Sequence, residues 1–570
     1  MKELASRGLL ALAAVAIGFA AADTYVVVLA LPDMMTAAGL TVAELQRAAP
    51  IISGFLLGYV AVLPLIGRVS DLRGRVPVLT GCLVVFAIGS VITAAGYDLP
   101  TIVLGRLIQG IGGGGLIPPT LALIADTWPA ERRGMPLGII GAVQELGSVV
   151  GPLWGAAILA FGTWHDIFWL NAAVGLAIAA AMLRHRPAER MRGRGFDLWG
   201  LILVGIASAC LLLVMMEPES LTTGVTSGLA FLPVTGDSRW LTPLALAGYA
   251  FLVAFVVRQA TAARPLLAWR GWGEIARETD LWGAAALTVA LGAVIVTFAS
   301  AEPEQAVLAD DAVVLLPIAA LALAAFVWRG RRAANPLIPR GSLTATPAWG
   351  SIAVSFFVGA ALIAALVDIP FFARLTIAPD DQLEAALVLV RFLVALPVGA
   401  VLGGWLLRHV PAGPLTAAAL TLSGACFLVM GSWDAQSLES FSSTVVLAAC
   451  GFGFGLALAP VNAALLEHTA AEVHGLASAL LVVARMVGML IGISALTTIG
   501  LRAFRGAVAK IPSVESLCDG ESTACRAYTG AMRDAGIAQL QAVFTGAAVA
   551  AFIAAALALL LLRRRDIFSS

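Results

Sequence analysis

The chain has 570 residues and a mass of 58.6 kDa; 60% of the residues are hydrophobic, 12% are charged, and the mean hydropathy is +0.95. A water-soluble domain averages about 25% charged and about 45–50% apolar residues, so no soluble core could hide this much apolar surface. Disorder, nucleic-acid binding and a disulfide-rich secreted scaffold are excluded, and an all-α polytopic membrane protein remains. The formal net charge is zero, from 35 basic and 35 acidic residues, so only the placement of charge is informative.

Sixteen apolar stretches near the length of a bilayer crossing are expected to be helices: 9–31, 48–68, 77–97, 99–125, 135–161, 166–184, 198–216, 240–258, 281–300, 311–328, 346–372, 383–407, 412–431, 441–466, 473–500 and 537–562. A transmembrane barrel would show alternating segments of about 10 residues instead. The first stretch is too long, and too poor in cleavage-site signals, for a signal peptide alone, and reads as a retained helix. With the N-terminus assigned to the cytoplasm, roughly 24 of the 35 Lys and Arg fall inside and roughly 8 outside, five of these in the loop 501–536. The remaining three, Arg106, Arg391 and Arg485, lie inside helices. This asymmetry fixes an even number of crossings, sixteen or alternatively fourteen, with both termini inside.

The sequence is also internally duplicated. GFLLGYVAVLPLIGRVSDLRGRV at 54–76 and VRFLVALPVGAVLGGWLLRHVPAG at 390–413 share a Leu-Pro in mid-span, a glycine just beyond it and a basic turn at the end. Leu-Pro-Asp at 31–33 lies opposite Val-Asp-Ile-Pro at 367–370. The expected organisation is an N-terminal six-helix bundle (1–184), a linker with extra transmembrane helices (185–345), and a C-terminal six-helix bundle (346–570) with an external hairpin at about 501–536.

Ionisable groups at the centre of a membrane helix cost at least about 2.5–3.5 kcal/mol, and persist where they pair or face a cavity. Asp23, Glu145 and Arg485 form the leading trio for proton coupling and an ion lock, with Asp368 and Arg391 as secondary buried charges. Static ion pairs between helices are the structural alternative. The loop Gly67, Arg68, Asp71, Gly74 and Arg75 joins two helices, with glycines for tight turns and an aspartate able to cap a helix or meet an arginine. Arg106 and Gln109, followed by Gly110, stand three apart on one helix face. Gly147, Gly151, Pro152 and Gly155 make a groove of small residues one turn beyond Glu145. Cys518 and Cys525 lie in the last external loop, where a disulfide is possible; Cys82, Cys210, Cys426 and Cys450 read as small core hydrophobes. The five histidines, at 165, 185, 409, 468 and 474, form no metal-ligand pattern, no cofactor is indicated, and no Ser/His/Asp set supports an enzyme.

These motifs resemble the major facilitator superfamily. Residues 67–76 are similar to its signature loop, Arg106 to Gly110 to its helix-four motif, and Gly147 to Gly155 to the helix-five motif of the fourteen-helix drug/proton antiporters. Leu72 and Val76 depart from the signature, which usually carries basic residues there. Asp23 to Val28, Gln144 to Val149, Leu396 to Val401 and Val482 to Met486 further resemble the mycobacterial lipid-exporting transporters that work with a periplasmic lipoprotein. That resemblance implies proton-driven export of a triacylglyceride-like lipid from the bacterial plasma (inner) membrane. It also implies coupling through Asp23, Glu145 and Arg485, and a final helix pair that projects outward. The competing expectation is a multidrug/proton antiporter for amphipathic cations; a membrane-embedded enzyme or scaffold would need catalytic clusters that the sequence lacks.

Overall fold

A computed structural model describes residues 2–40, 45–184, 197–262, 273, 278–299, 312–377, 382–512 and 526–562. The first packed group comprises α1 (Lys2–Ala37), α2 (Leu45–Ala61), α3 (Leu63–Arg73), α4 (Arg75–Ala94), α5 (Leu99–Gly114), α6 (Ile117–Thr127), α7 (Gly134–Leu159) and α8 (Trp164–Leu183). The insert carries α9 (Leu198–Met216), α10 (Pro243–Thr261), α11 (Leu281–Ala299) and α12 (Ala312–Arg332). The last group comprises α13 (Thr346–Thr376), α14 (Gln382–Leu406), α15 (Ala412–Met430), α16 (Phe441–Glu467), α17 (His474–Val508) and α18 (Arg526–Leu561).

Helix starts follow local chemistry. Asp98 accepts from Thr101 N at 2.9 Å to open α5, and Thr163 with Asp166 forms a capping box on α8. Breaks follow proline. Pro64 cannot donate to the preceding turn, and α2 and α3 meet at a 41° bend. Its sequence counterpart Pro397 lies inside an unbroken α14, so the duplication does not extend to the bend.

Among the described residues, thirteen helices are long and apolar enough to cross a membrane, or fourteen with α2–α3 taken as one span. The expected segments 9–31 and 135–161 fall on α1 and α7, which are helical throughout but outside that count. Helices α17 and α18 have 35 and 36 residues, about 50 Å at 1.5 Å per residue. A hydrocarbon core is about 30 Å thick, so both run well past it. Cys518 and Cys525 lie outside the described residues.

In the first group α1 packs on α7, α2 on α5, and α4 on α5 and α8; in the last, α14 packs on α16, α13 on α17 and α18, and α15 on α16 and α18. One apolar core is built mainly from residues of 348–562 and a second mainly from residues of 9–183. The two groups touch along two seams, α7 on α14 and α3 with α6 on α17.

The insert is two hairpins, α9–α10 and α11–α12, with one signature. Asp-Leu-Trp-Gly recurs at 197–200 and 280–283, Phe-Val-x-Arg at 255–258 and 326–329, and Ala-Ala-x-Pro-Leu at 262–266 and 333–337. Each aspartate caps its helix, accepting at 3.0 Å from Gly200 N or Gly283 N, and each is clasped by the arginine of the partner helix, Arg258 or Arg329. Hydrogen bonding and charge from Arg258 hold the Asp197 carboxyl below the usual carboxylate range. The four extra helices are thus a tandem repeat of a two-helix unit.

Candidate functional site: buried charges between and within the helix groups

Asp23, on α1, is 2% exposed, and Arg106, on α5, is 1% exposed. Arg106 Nη1 donates to Asp23 Oδ2 at 2.8 Å. Asn171 Nδ2, from α8, donates to the other carboxylate oxygen. Arg106 Nη1 also donates to Gln109 Oε1 at 2.6 Å, and its Nε to Ile51 O of α2 at 3.4 Å. Gln109 Nε2 passes the chain on to Ser90 Oγ at 3.0 Å. The guanidinium lies over the Phe55 ring, 4.3 Å from its centroid. A buried charge needs this many partners to offset its lost hydration.

The expected trio is therefore split. Asp23 meets Arg106 and Asn171 within the first group, not Arg485. Arg485, on α17, is instead the charge that acts on Glu145, on α7. These two charges belong to different helix groups. Arg485 also lines a small cavity with Gln144, Ser355 and Asn462 among apolar side chains such as Leu121, Val358 and Leu458. Its volume is about 40 Å³, space for a water or two. Gly359 brings α13 so close that an added Cβ would stand 2.0 Å from the Arg485 carbonyl.

At the end of the bundle with the arginine-rich loops, the basic end, the signature loop ties α3 to the start of α17. Asp71 accepts from Gly475 N at 2.9 Å and Leu476 N at 3.0 Å, capping the first turn of α17, and is paired with Arg75. Arg75 Nε reaches Asp126 Oδ2 at 2.9 Å, and its Nη2 reaches Ala471 O at 3.3 Å. A Cβ on Gly67 would stand 2.6 Å from Gly475 O, so this glycine permits the close approach. Gly74 has φ +91°, which lets the chain turn directly from α3 into α4. The Arg68 Nε is buried without a hydrogen-bond partner among the described residues.

Gly147 and Gly151 would place a Cβ 2.3 Å from Gly18 O and 2.4 Å from Ala22 O, and Gly155 one 3.1 Å from Val26 Cγ1. The helix-five motif is thus the α7 face laid on α1, beside Asp23; Pro152 falls inside α7. Gly110 does the same for α5 against α2, 2.1 Å from Phe55 O. Asp368 and Arg391 do not meet: Arg391 Nη1 donates to Thr444 Oγ1 at 3.1 Å.

Sequence reasoning missed Asn171, Ser90, Asp126 and the α17 turn 474–476. Asn171 carried a signal, as an isolated amide in the apolar run IFWLNAAVG. The partners of Asp71 are backbone groups some 400 positions away, and nothing in a linear pattern marks them.

Two helix groups joined at seams, with a buried ion pair inside the first and charged contacts between them, make a multi-pass helical membrane protein. Residues 13–326 match the Major Facilitator Superfamily, and the chain belongs to that superfamily. It is 35% identical over 511 residues to the triacylglyceride transporter of Mycolicibacterium hassiacum, covering 88% of this chain and 80% of that protein. To the triacylglyceride transporter of Mycolicibacterium smegmatis it is 33% identical over 558 residues, covering 95% and 85%. To that of Mycobacterium tuberculosis it is 32% identical over 565 residues, covering 96% and 92%. Among solved structures, the human organic anion transporter MFSD10 shares the fold with a TM-score of 0.54 at 15% identity, over 97% of this chain and 99% of that one. The proton:xylose symporter XylE does so with a TM-score of 0.53 at 13% identity, over 98% and 95%.

Proposed function

We propose that this chain exports a triacylglyceride-like lipid from the bacterial inner membrane, driven by protons, by alternating access of two six-helix halves, 1–184 and 346–570. The linker 185–345 adds its two hairpins to make sixteen crossings, with the basic end and both termini in the cytoplasm. The observation that carries this reading is identity of about a third, along nearly the whole chain, to proteins named triacylglyceride transporters.

The geometry supports a division of labour. Asp71 and Arg75 latch the cytoplasmic end. Glu145 and Arg485 form the lock across the halves; a proton on Glu145 removes the attraction and lets the halves part. Asp23, with Arg106 and Asn171, sets the position of α1 against the glycine face of α7 and takes the second proton-sensitive role. The long outer ends of α17 and α18 hand lipid to a periplasmic lipoprotein. The cavity favours lipid over cationic drugs: among its described lining residues the formal charge is the cation Arg485, which repels a positive substrate.

The test compares envelope lipids in cells lacking the protein, complemented with wild type or with Asp23→Asn. Retention of triacylglyceride in the inner membrane, reversed by wild type and not by Asp23→Asn, is expected. Unchanged lipids without the protein contradict lipid export, and proton-driven efflux of cationic drugs in proteoliposomes then becomes the reading to test.

A further inference from the structure

The Asp71 tie leans on a buried histidine. His474, the first residue of α17, is 4% exposed. Its Nε2 lies 3.1 Å from Leu466 O and 3.2 Å from Thr469 O. Both partners are carbonyls, which only accept, so Nε2 carries the ring proton. Leu466 belongs to the last turn of α16, where carbonyls have no partner within the helix. The ring therefore joins the end of one helix to the start of the next. The two residues that follow it, Gly475 and Leu476, donate the amides that Asp71 accepts. Arg75 holds the same turn through Ala471 O. The direction in which the two amides point is thus set by where His474 sits.

The other ring nitrogen, Nδ1, is buried and has no hydrogen-bond partner among the described residues. A second proton on this ring can only sit there. The charges that act on the ring are those of Arg133, Asp126 and Arg75. Arg75 pairs with both Asp71 and Asp126, and Arg133 donates to Trp128 O and Ala125 O. Two cations and two anions already balance, so a charged imidazole would add an unmatched cation. At the end of α16 the His468 Nδ1 lies on Ala464 O, and Glu467 and, in the turn, Glu472 are exposed. Carbonyls at a helix C-terminus favour a cation, but they act through Nε2, which already bears its proton. A charged ring with an unpartnered donor loses more to burial than it gains there. The ring stays neutral while the turn is folded.

We infer that His474 is the positioning residue of the Asp71 latch and its proton switch. Neutral, it pins the α16–α17 turn and aims the amides of Gly475 and Leu476 at Asp71. Protonated on Nδ1, it leaves its buried place, the amides part from Asp71, and the basic end opens. The proton adds to the Nδ1 lone pair and departs from it, so no other covalent bond changes. A histidine in water titrates near about pH 6.5, within reach of ordinary pH changes. A proton that reaches the basic end thereby opens it, and loss of that proton closes it. This adds a proton-sensitive step at the basic end to the one at Glu145. The inference rests on the reading of Asp71 and Arg75 as a latch.

A switch has a pH profile that a merely structural residue lacks. The full chain with Ser478→Cys is reconstituted in vesicles, and alkylation at position 478 is followed by mass spectrometry. Ser478 is fully buried one turn beyond His474, and its Oγ has no hydrogen-bond partner among the described residues, so the change loses no hydrogen bond. Each rate is divided by that of the denatured chain at the same pH, which removes the titration of the thiol itself. One proton moves the open-to-closed ratio by at most about tenfold per pH unit. Between about pH 7.5 and about pH 5.5 the parent is expected to accelerate at least about fivefold. His474→Gln keeps a donor for the two carbonyls and does not titrate, so it should change by less than about twofold. His474→Ala loses the pin, and should exceed the parent at least about fivefold already at about pH 7.5. Asp71→Ala, run alongside, marks the opened latch. A parent that does not accelerate in acid, a His474→Gln that follows the parent, or a His474→Ala as slow as the parent overturns the switch while a fast Asp71→Ala leaves the latch standing. An Asp71→Ala no faster than the parent sinks the latch reading, and the switch with it.

Discussion

Removing the Asp23 carboxylate tests the electrostatic account most sharply, because the structure assigns it a partner other than the one its sequence suggests. At 2.8 Å from Arg106, with both side chains about 1% exposed or less, Asp23 belongs to a fully desolvated pair. Breaking such a pair by removing one partner costs about 3–5 kcal/mol, mostly from the charge left behind. Arg106 keeps Gln109, the Ile51 carbonyl and the face of Phe55, and a desolvated cation–π contact is worth about 2 kcal/mol. Asp23→Asn is therefore expected near the lower end, about 3 kcal/mol. Asp23→Asn combined with Arg106→Gln should cost less than the sum of the single changes by about 2 kcal/mol. The same cycle with Arg485→Gln should be additive within about 0.5 kcal/mol. Reversible SDS titration of the purified protein in mixed micelles gives all the values needed. A coupling of Asp23 to Arg485 as large as that to Arg106, or an Asp23→Asn cost under about 0.5 kcal/mol, refutes the reasoning.

Asp71→Ala removes the cap on α17, worth about 1–2 kcal/mol, and should raise the open-to-closed ratio at the basic end about 5–30-fold. Alkylation of Ser478→Cys, at a fully buried position, should accelerate by that factor, and an unchanged rate counts against the latch. Gly359→Ala drives a Cβ against the Arg485 carbonyl, so it should destabilise by about 1–3 kcal/mol; a melting point equal to wild type contradicts the close approach. The clasp on Asp197 has a definite pH window. Its carboxyl is held below the usual range, so the stabilisation is fully present above about pH 4 and is lost as pH falls through the lowered value. Hydrogen exchange in the first turn of α9 should differ between wild type and Asp197→Asn above about pH 4 and converge once the pH has fallen through the lowered value of the Asp197 carboxyl. A difference that persists at lower pH refutes the assignment.

The helices were legible because apolar length and basic-residue asymmetry are local signals that the bilayer enforces. Glycine spacing on α7 likewise announced a packing face. Which charge meets which was not legible. Asp23 has Arg106 and Arg485 in the same chain, both intramembrane, and tertiary packing alone sets the 2.8 Å contact with the first. The ends of the Asp71 latch are backbone amides, which every residue carries. The doubled insert lay open in Asp-Leu-Trp-Gly at 197–200 and 280–283, but the match is four residues long and gained meaning only when both aspartates proved to be clasped caps.

The central claim is that proton movement drives lipid through this chain. Its most direct measurement is transfer of a fluorescent triacylglyceride between leaflets of proteoliposomes under an imposed pH gradient, with Glu145→Gln as comparison. Transfer that follows the gradient in wild type, collapses with a protonophore, and is lost in Glu145→Gln is the predicted result. Transfer that ignores the gradient, or persists undiminished in Glu145→Gln, would contradict the account.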